Sequence, residues 1–361
     1  MIAASRRRPQ TLRRTAWAPL LTMTLSATAP LSAQSPAAYR LSAVETLPGA
    51  APSWDYITID TTHNHLFIGR RALGVTAYDL ATRKVLRQIA RSEDANATAL
   101  VPEFDRGYTT NEDGTTTIFS LSTLETIDRI KFGADADAAV YEPASHQVAF
   151  MMGDSKAITF LDARTAAVMG RVAMPSAKLD GAVVDGGSIF VAERDRNAIA
   201  RVDAARHRLV GEWKVLGCQQ PTGLAIDHER HRLFVGCRGA KPVLVVMDAV
   251  TGKVVDTHEI GRGNDGVVYD AVHHQVLTAN GVDANLVVFD QQTPDRYVLA
   301  EATTTRPYAR TIAFDPRTRT VYLVTAEGSV NPASKVNTAV APFYPNRYFD
   351  DTFMLLTYTH R

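Results

Sequence analysis

Thr222–Val255 reads TGLAIDHERHRLFVGCRGAKPVLVVMDAVTGKVV. Two apolar runs, Leu224–Ile226 and Leu233–Val235, flank a charged turn that opens on Asp227. Two more, around Val243–Met247 and from Val254 onward, flank a second turn, Asp248–Lys253. Short apolar runs bounded by Asp, Thr, Gly and Pro are strand signals. The stretch therefore predicts four consecutive strands joined by tight polar turns.

The first half of that pattern recurs along the chain. It appears as DYITIDTTHNHLFIG from Asp55, ATALVPEFDRGYTT from Ala97, DAAVYEPASHQVAFM from Asp137 and DGAVVDGGSIFVAE from Asp180. It returns as DGVVYDAVHHQVLTA from Asp265 and RTIAFDPRTRTVYLV from Arg310. The anchors Asp60, Pro102, Glu142, Asp185, Asp227, Asp270 and Asp315 are spaced by 42, 40, 43, 42, 43 and 45 residues. The second half follows the first six copies, as in VTAYDLATRKVLRQI and ITFLDARTAAVMGRV. Four strands per unit at this period is the signature of propeller blades. The fold predicted is all-β: a seven-bladed β-propeller of four-stranded blades. The seventh unit has two strands, then a gap, then a third strand at Phe353–Thr357, and no fourth. Tyr39–Leu47 resembles the outer strands of other blades. Placed as the fourth strand of the last blade, it would close the ring and remove a free edge.

The repeat resembles the YVTN-type β-propeller repeat family, the YncE-like exported bacterial proteins, over roughly residues 40–361. The resemblance rests on DAVTGKV at Asp248–Val254, on PTGLAID at Pro221–Asp227, and on the Gly-Cys and Val-Gly-Cys pairs flanking that hairpin. It implies an exported propeller, with single-stranded DNA binding proposed for one branch. Relatives by fold include lactone hydrolases and lyases.

The start of the chain differs in kind. Arg6, Arg7, Arg8, Arg13 and Arg14 precede a mildly apolar stretch, Ala16–Leu31, and small residues at Ser32-Ala33. Basic start, apolar middle and small-residue exit make a secretory signal peptide over 1–33, leaving one domain over 34–361. The apolar part is too short and too rich in Thr, Ser and Pro for a membrane span. Ser5-Arg6-Arg7 resembles a twin-arginine start, but Pro9 and Gln10 follow where a bulky apolar residue is expected. The chain has 39 Lys+Arg and 38 Asp+Glu. Without the five signal arginines the balance is 34 against 38, a net charge of −4. That argues against a strongly basic nucleic-acid binder, while a local basic patch remains open. The localisation expected is periplasmic or secreted.

Five residues before each anchor, the innermost strand of each blade starts. Those positions hold Asp55, Ala97, Asp137, Asp180, Thr222, Asp265 and Arg310. Four aspartates and an arginine would ring the channel mouth as a ligand or cation site. The plainer reading is that each Asp fixes an entry turn by accepting backbone N–H bonds. In a closed ring Arg310 should pair with Asp265 and Asp55. Loops on the same face add Arg70, Arg71, Glu112, Asp154, Lys156, Arg194, Arg196, Arg238 and Lys241. Blade seven carries a long insertion, Ser329–Asp351, with Phe343, Tyr344, Arg347, Tyr348 and Phe349. Aromatics beside Arg can stack on bases or sugars, or can pack for stability. No cofactor is implied beyond a divalent cation at the acidic ring, for which Ca²⁺ or Mg²⁺ suits carboxylate oxygens.

Other motifs fall away. His63, His65, His146, His228, His231, His273 and His274 lie in first-to-second-strand turns on the opposite face. His228-Glu-Arg-His231 lacks the i, i+4 helical spacing of a zincin. GRGNDG at Gly261–Gly266 joins two strands, with no helix to receive a pyrophosphate. No catalytic constellation assembles. Three functions stand: a non-catalytic binding or scaffold protein, a metal-assisted hydrolase or lyase, and a single-stranded nucleic-acid binder. Small molecules, macromolecules and protein partners are all admissible ligands.

Cys218 and Cys237 are the two cysteines. One precedes the innermost strand of blade five and the other follows its antiparallel neighbour, so the thiols should meet on one face. With export to an oxidising compartment, they are expected to form a disulfide.

Overall fold

A strand stacked between two neighbouring layers is buried on both faces and must be apolar throughout. The second and third strands of most repeats are of this kind, and the fourth strands alternate exposed and half-buried residues. In a computed structural model of the chain, this patterning produces radial blades. The structure describes residues 38–49, 53–329 and 347–361; the expected signal peptide and Tyr344 lie outside them. Residues Ala37–Arg361 form one compact unit.

Thirty strands, β1 to β30 in chain order, occur among the described residues. Blade one is β2 (Ile57–Asp60), β3 (His65–Gly69), β4 (Val75–Asp79) and β5 (Lys84–Gln88), each antiparallel to the next. The chain from Ala95 to Thr304 repeats this order five more times, giving blades two to six. Blade seven runs β26 (Ile312–Asp315), β27 (Thr320–Thr325), β30 (Met354–His360), β1 (Tyr39–Thr46). The N-terminal strand is thus the outermost strand of the last blade, with Tyr39 opposite His360 and Thr46 opposite Met354. Thr311 Oγ1 donates to Asp55 O at 2.8 Å and Arg317 Nη1 to Thr61 O at 2.6 Å, joining blade seven to blade one.

Seven apolar clusters fill the seven junctions. Leu224, Leu233 and Val245 of blade five pack on Phe190 and Ile199 of blade four. Leu66, Ile68 and Trp54 of blade one pack on Val324, Phe353 and Leu355 of blade seven. Each junction buries about ten side chains, at roughly 1.5–3 kcal/mol per large residue, so the ring is held by repeated nearest-neighbour interfaces. The innermost strands approach closely. A Cβ at Gly181 would lie 2.4 Å from the carbonyl oxygen of Thr222 in the next blade.

The anchor acids fix the first turns. Asp60 Oδ1 accepts the Thr62 N–H at 2.8 Å, and Asp227, Asp270 and Asp315 repeat the bond two residues on. The residue before the second strand is then left-handed: Asn64, His146, His231, His274 and Arg319 have φ of 50–58°. This is the Asx-turn chemistry of a tight hairpin. Several histidines of the repeat hold this position, so their recurrence is structural.

Blade two departs from the pattern. Its central strands carry Thr109, Thr110, Asn111 and Thr115–Thr117, all buried. Backbone pairing between them ends at Tyr108 opposite Ile118. Beyond it, Thr109 Oγ1 accepts the Thr117 N–H at 2.9 Å and donates to Asn111 Oδ1 at 2.8 Å. Side-chain bonds there replace the ladder that satisfies buried backbone elsewhere.

Candidate functional site

Because each innermost strand starts at the same end, the ring positions converge on one mouth. Asp55, Asp180, Asp265 and Arg310 are 6, 3, 5 and 9 % exposed, whereas Asp137 is half-buried. Arg310 donates from Nε to Asp265 Oδ2 at 2.5 Å and lies 3.5 Å from Asp55 Oδ1 through Nη2. The expected bridge between blades six, seven and one is present. Arg71 carries it on, with Nη2 at 2.6 Å from Asp55 Oδ2 and Nη1 on Glu112. Arg238 pairs with Asp265 Oδ1 and gives its Nε to Asn264 O at 2.7 Å. Arg194 Nη1 pairs with Asp180 Oδ2 at 3.0 Å. Among the described residues, turn fixing by these aspartates is confined to Asp180 Oδ1, which accepts the Gly181 N–H at 3.0 Å. The anchors fix the first turns, and Asp55, Asp180 and Asp265 meet arginines.

Tyr56 adds the feature that repeat reading missed. Its hydroxyl donates to Asp180 Oδ1 at 2.7 Å, from blade one to blade four across the ring. The phenol therefore bridges the ring at its mouth, the bowl. Positions equivalent to Tyr56 hold Thr98, Ala138, Gly181, Gly223, Gly266 and Thr311. One large residue among six small ones was the available signal.

Charge in the bowl is uneven. Burial pushes the Asp137 carboxyl well above the usual range, and Asp180, Asp55, Asp135 and Asp265 add to the push. Burial also raises Asp55, although Arg310 and Arg71 oppose it. At Asp265 burial acts upward, but Arg238 and Arg310 outweigh it and hold the carboxyl low. The Tyr56 phenol is raised by burial and then by Asp180 and Asp137. These opposed shifts within one cleft mark a site candidate. Among the described residues, no three His, Cys, Asp or Glu side chains come together to hold a metal ion.

The loop residues separate into groups. Arg70 is 1 % exposed, with its guanidinium 4.3 Å over Phe353 and Nη1 donating to Pro48 O at 2.6 Å. It packs a junction and does not line the bowl surface. Arg196 holds Glu212 by two bonds, 2.9 and 3.2 Å. Lys178 lies 4.0 Å from Asp154, and Lys241 is exposed. From the insertion, Tyr348 stacks on Tyr308 at 5.3 Å and meets Trp54 edge-on at 5.0 Å. Arg347 is exposed and pairs by its backbone with Ser329. Among the described residues of the insertion Tyr348 thus packs, and Arg347, Phe349, Asp350 and Asp351 are exposed.

Cys218 and Cys237 form a disulfide, with Cα atoms 5.5 Å apart. Blade four holds a further buried acid, away from the ring positions. Glu193, 0 % exposed at the end of β15 (Ser188–Glu193), meets Glu212 of β17 (Arg208–Lys214). Burial and then Glu212 push Glu193 up to about 7. The Arg196 and Lys214 bonds hold Glu212 down to about 2.

The opposite face carries a groove of about 540 Å³ at the junction of blades seven and one. Tyr78, Tyr322, Arg83, Arg317 and Thr320 line it. Both arginines are engaged there, Arg83 with Glu45 and Arg317 with Asp315.

No family model and no curated protein matches the chain. Solved structures do. A chain of the mitotic checkpoint complex is 12 % identical with a TM-score of 0.70, covering 96 % of this chain and 98 % of that one. U3-55K is 8 % identical at TM-score 0.69, covering 87 % and 98 %. Hydrazine synthase of Kuenenia stuttgartiensis is 13 % identical at 0.64, covering 77 % and 94 %. At such identities the likeness establishes the fold: a seven-bladed β-propeller. Function has to be argued from the site.

Proposed function

We propose that this is an exported bacterial propeller of the YVTN type that binds a small polar ligand in the bowl at its channel mouth. The observation that carries the reading is the convergence of Asp55, Tyr56, Asp137, Asp180, Arg194, Arg238, Asp265 and Arg310 on a rigid ring. The first turns take their acids from the anchors, which leaves the ring acids facing the polar groups of the mouth. A concave site with a few convergent polar groups and shifted pKa values is the default binding-site geometry. Export is supported by the 1–33 pattern and by a disulfide, which persists in oxidising compartments. Among the described residues no helix is long and apolar enough to cross a membrane.

The test is an equilibrium binding screen of small polar compounds against the domain. Hits should lose at least tenfold in affinity in Arg194→Ala or Asp180→Asn. Hits indifferent to both, but lost in Arg317→Ala at the opposite groove, would place the site on the other face.

A further inference from the structure

In the neighbouring blades four and five, the first residue after the second strand is an arginine, Arg194 and Arg238. Both side chains are partly open, 32 and 27 % exposed. Each guanidinium is tied along one edge. Arg194 gives Nη1 to Asp180 of its own blade, and Arg238 gives Nη2 to Asp265 of the next blade and Nε to Asn264 O. Arg194 Nε and Nη2 and Arg238 Nη1 have no hydrogen-bond partner among the described residues, and none of the three is sealed from solvent. The backbone that carries them is fixed. The Arg194 N–H donates to Lys178 O at 2.9 Å and the Arg238 N–H to Gln220 O at 3.1 Å, and the disulfide closes at Cys237 beside Arg238.

The ring pairings show what these open edges lack. A ring acid meets the arginine of its own blade, as Asp180 meets Arg194, or that of the preceding blade, as Asp265 meets Arg238. An acid at the ring position of blade five would by the same geometry meet both Arg238 and Arg194. That position holds Thr222, whose hydroxyl is turned away to Asn264 O at 3.0 Å. The two arginines reach toward the same place, since Asp180 acts on Arg238 and Arg194 acts on Asp265 across it. Two half-open guanidiniums thus flank a gap where the ring supplies no acid.

We propose that the gap at Thr222, between Arg194 and Arg238, is the subsite for a carboxylate group on a small ligand. The inference rests on the bowl being the binding site and adds the chemical class of what enters it. The ligand's carboxylate stands where an aspartate of blade five would stand, and its two oxygens accept from the planar forks of the guanidiniums. Because one edge of each arginine is already held, little side-chain freedom is lost on binding. Asp180 and Asp265 on either side favour a singly charged oxyanion over the more highly charged phosphate.

The probe is sodium propionate, with propionamide as the neutral control and inorganic phosphate as the competing oxyanion. Each is titrated into the disulfide-intact domain by ligand-observed NMR at pH 7 and constant ionic strength. Expected are saturable binding of propionate, none of propionamide, and weaker binding of phosphate. Arg194→Gln and Arg238→Gln should each bind propionate at least tenfold more weakly. Arg83→Ala, in the groove on the opposite face, should bind as the native protein does. Thr222→Asp supplies the missing acid from the chain itself, so it should fold and lose propionate binding even where an arginine variant does not fold. Absence of saturable propionate binding, equal binding of propionamide, tighter binding of phosphate, or loss in Arg83→Ala would overturn the subsite. So would a Thr222→Asp chain that fails to fold or binds propionate unchanged. If neutral or cationic compounds still bind the bowl with Asp180 dependence, the wider reading stands and only this assignment fails.

Discussion

Replacing Glu193 by Gln should flatten a pH dependence that the native protein carries between about pH 5 and pH 8. Glu193 is fully buried, and its carboxyl is pushed up to about 7 from a usual 4.5. A raised folded-state pKa means the folded protein holds the proton more tightly than the unfolded chain. Its contribution is fully present below pH 4.5 and is lost as pH rises through 7. At 1.36 kcal/mol per unit the loss amounts to about 3 kcal/mol. Glu212, held down to about 2, stays ionised across this window, so the pair has one step there. For a domain of this size that corresponds to a melting shift on the order of 5 °C. Gln mimics the protonated acid and can donate to Glu212. Melting of the two proteins, followed by calorimetry from pH 5 to pH 8.5, should coincide at the acid end. The variant should gain several degrees at the alkaline end. Parallel curves across the range would refute the shared-proton reading of the Glu193–Glu212 pair.

Intact mass of the protein prepared without reductant should be two hydrogens below the reduced value, and Cys218→Ser with Cys237→Ser should cost on the order of 3 kcal/mol; free alkylation without reductant would contradict this. Gly181→Ala should destabilise strongly, because its Cβ would stand 2.4 Å from a backbone oxygen of the next blade; a melting point within 1–2 °C of the native value would show that the innermost strands yield. Ala284→Gly should stabilise by about 0.5–1 kcal/mol, since Ala284 holds φ of 49° on a surface turn; a lower melting point would show that its methyl packs. Tyr56→Phe should cost about 1 kcal/mol, read by denaturant titration, with a cost near zero meaning that the hydroxyl is not bonded across the ring.

Blade number, order and ring closure were legible because they follow from a repeat and from strand burial. DYITID and its copies carry their period in the sequence, and a missing fourth strand points to Tyr39–Leu47. The ring positions were legible for the same reason, as a fixed offset from the anchors, and so was the Arg310 bridge. What repeat logic cannot give is contact between non-adjacent blades. Tyr56 and Asp180 are 124 residues apart, and only the closed ring sets them face to face. The compensation of Asp55 by Arg71 depends on a left-handed backbone at Arg71, φ 44°, which no composition signal marks. Arg70 and Arg71 are neighbours in one loop, yet one packs into a junction and the other reaches the bowl. Likewise Glu193 and Glu212 are unremarkable in sequence and become a pair through two strands of one blade.

The central claim is that the mouth bowl, not the opposite groove, takes the ligand. A crystal structure of the domain soaked with the strongest hit of the polar-compound screen tests it most directly. The account predicts an ordered ligand with a polar atom within 3.2 Å of Arg194 or Asp180. A ligand ordered only beside Tyr78 and Tyr322, with the bowl holding water alone, would contradict it.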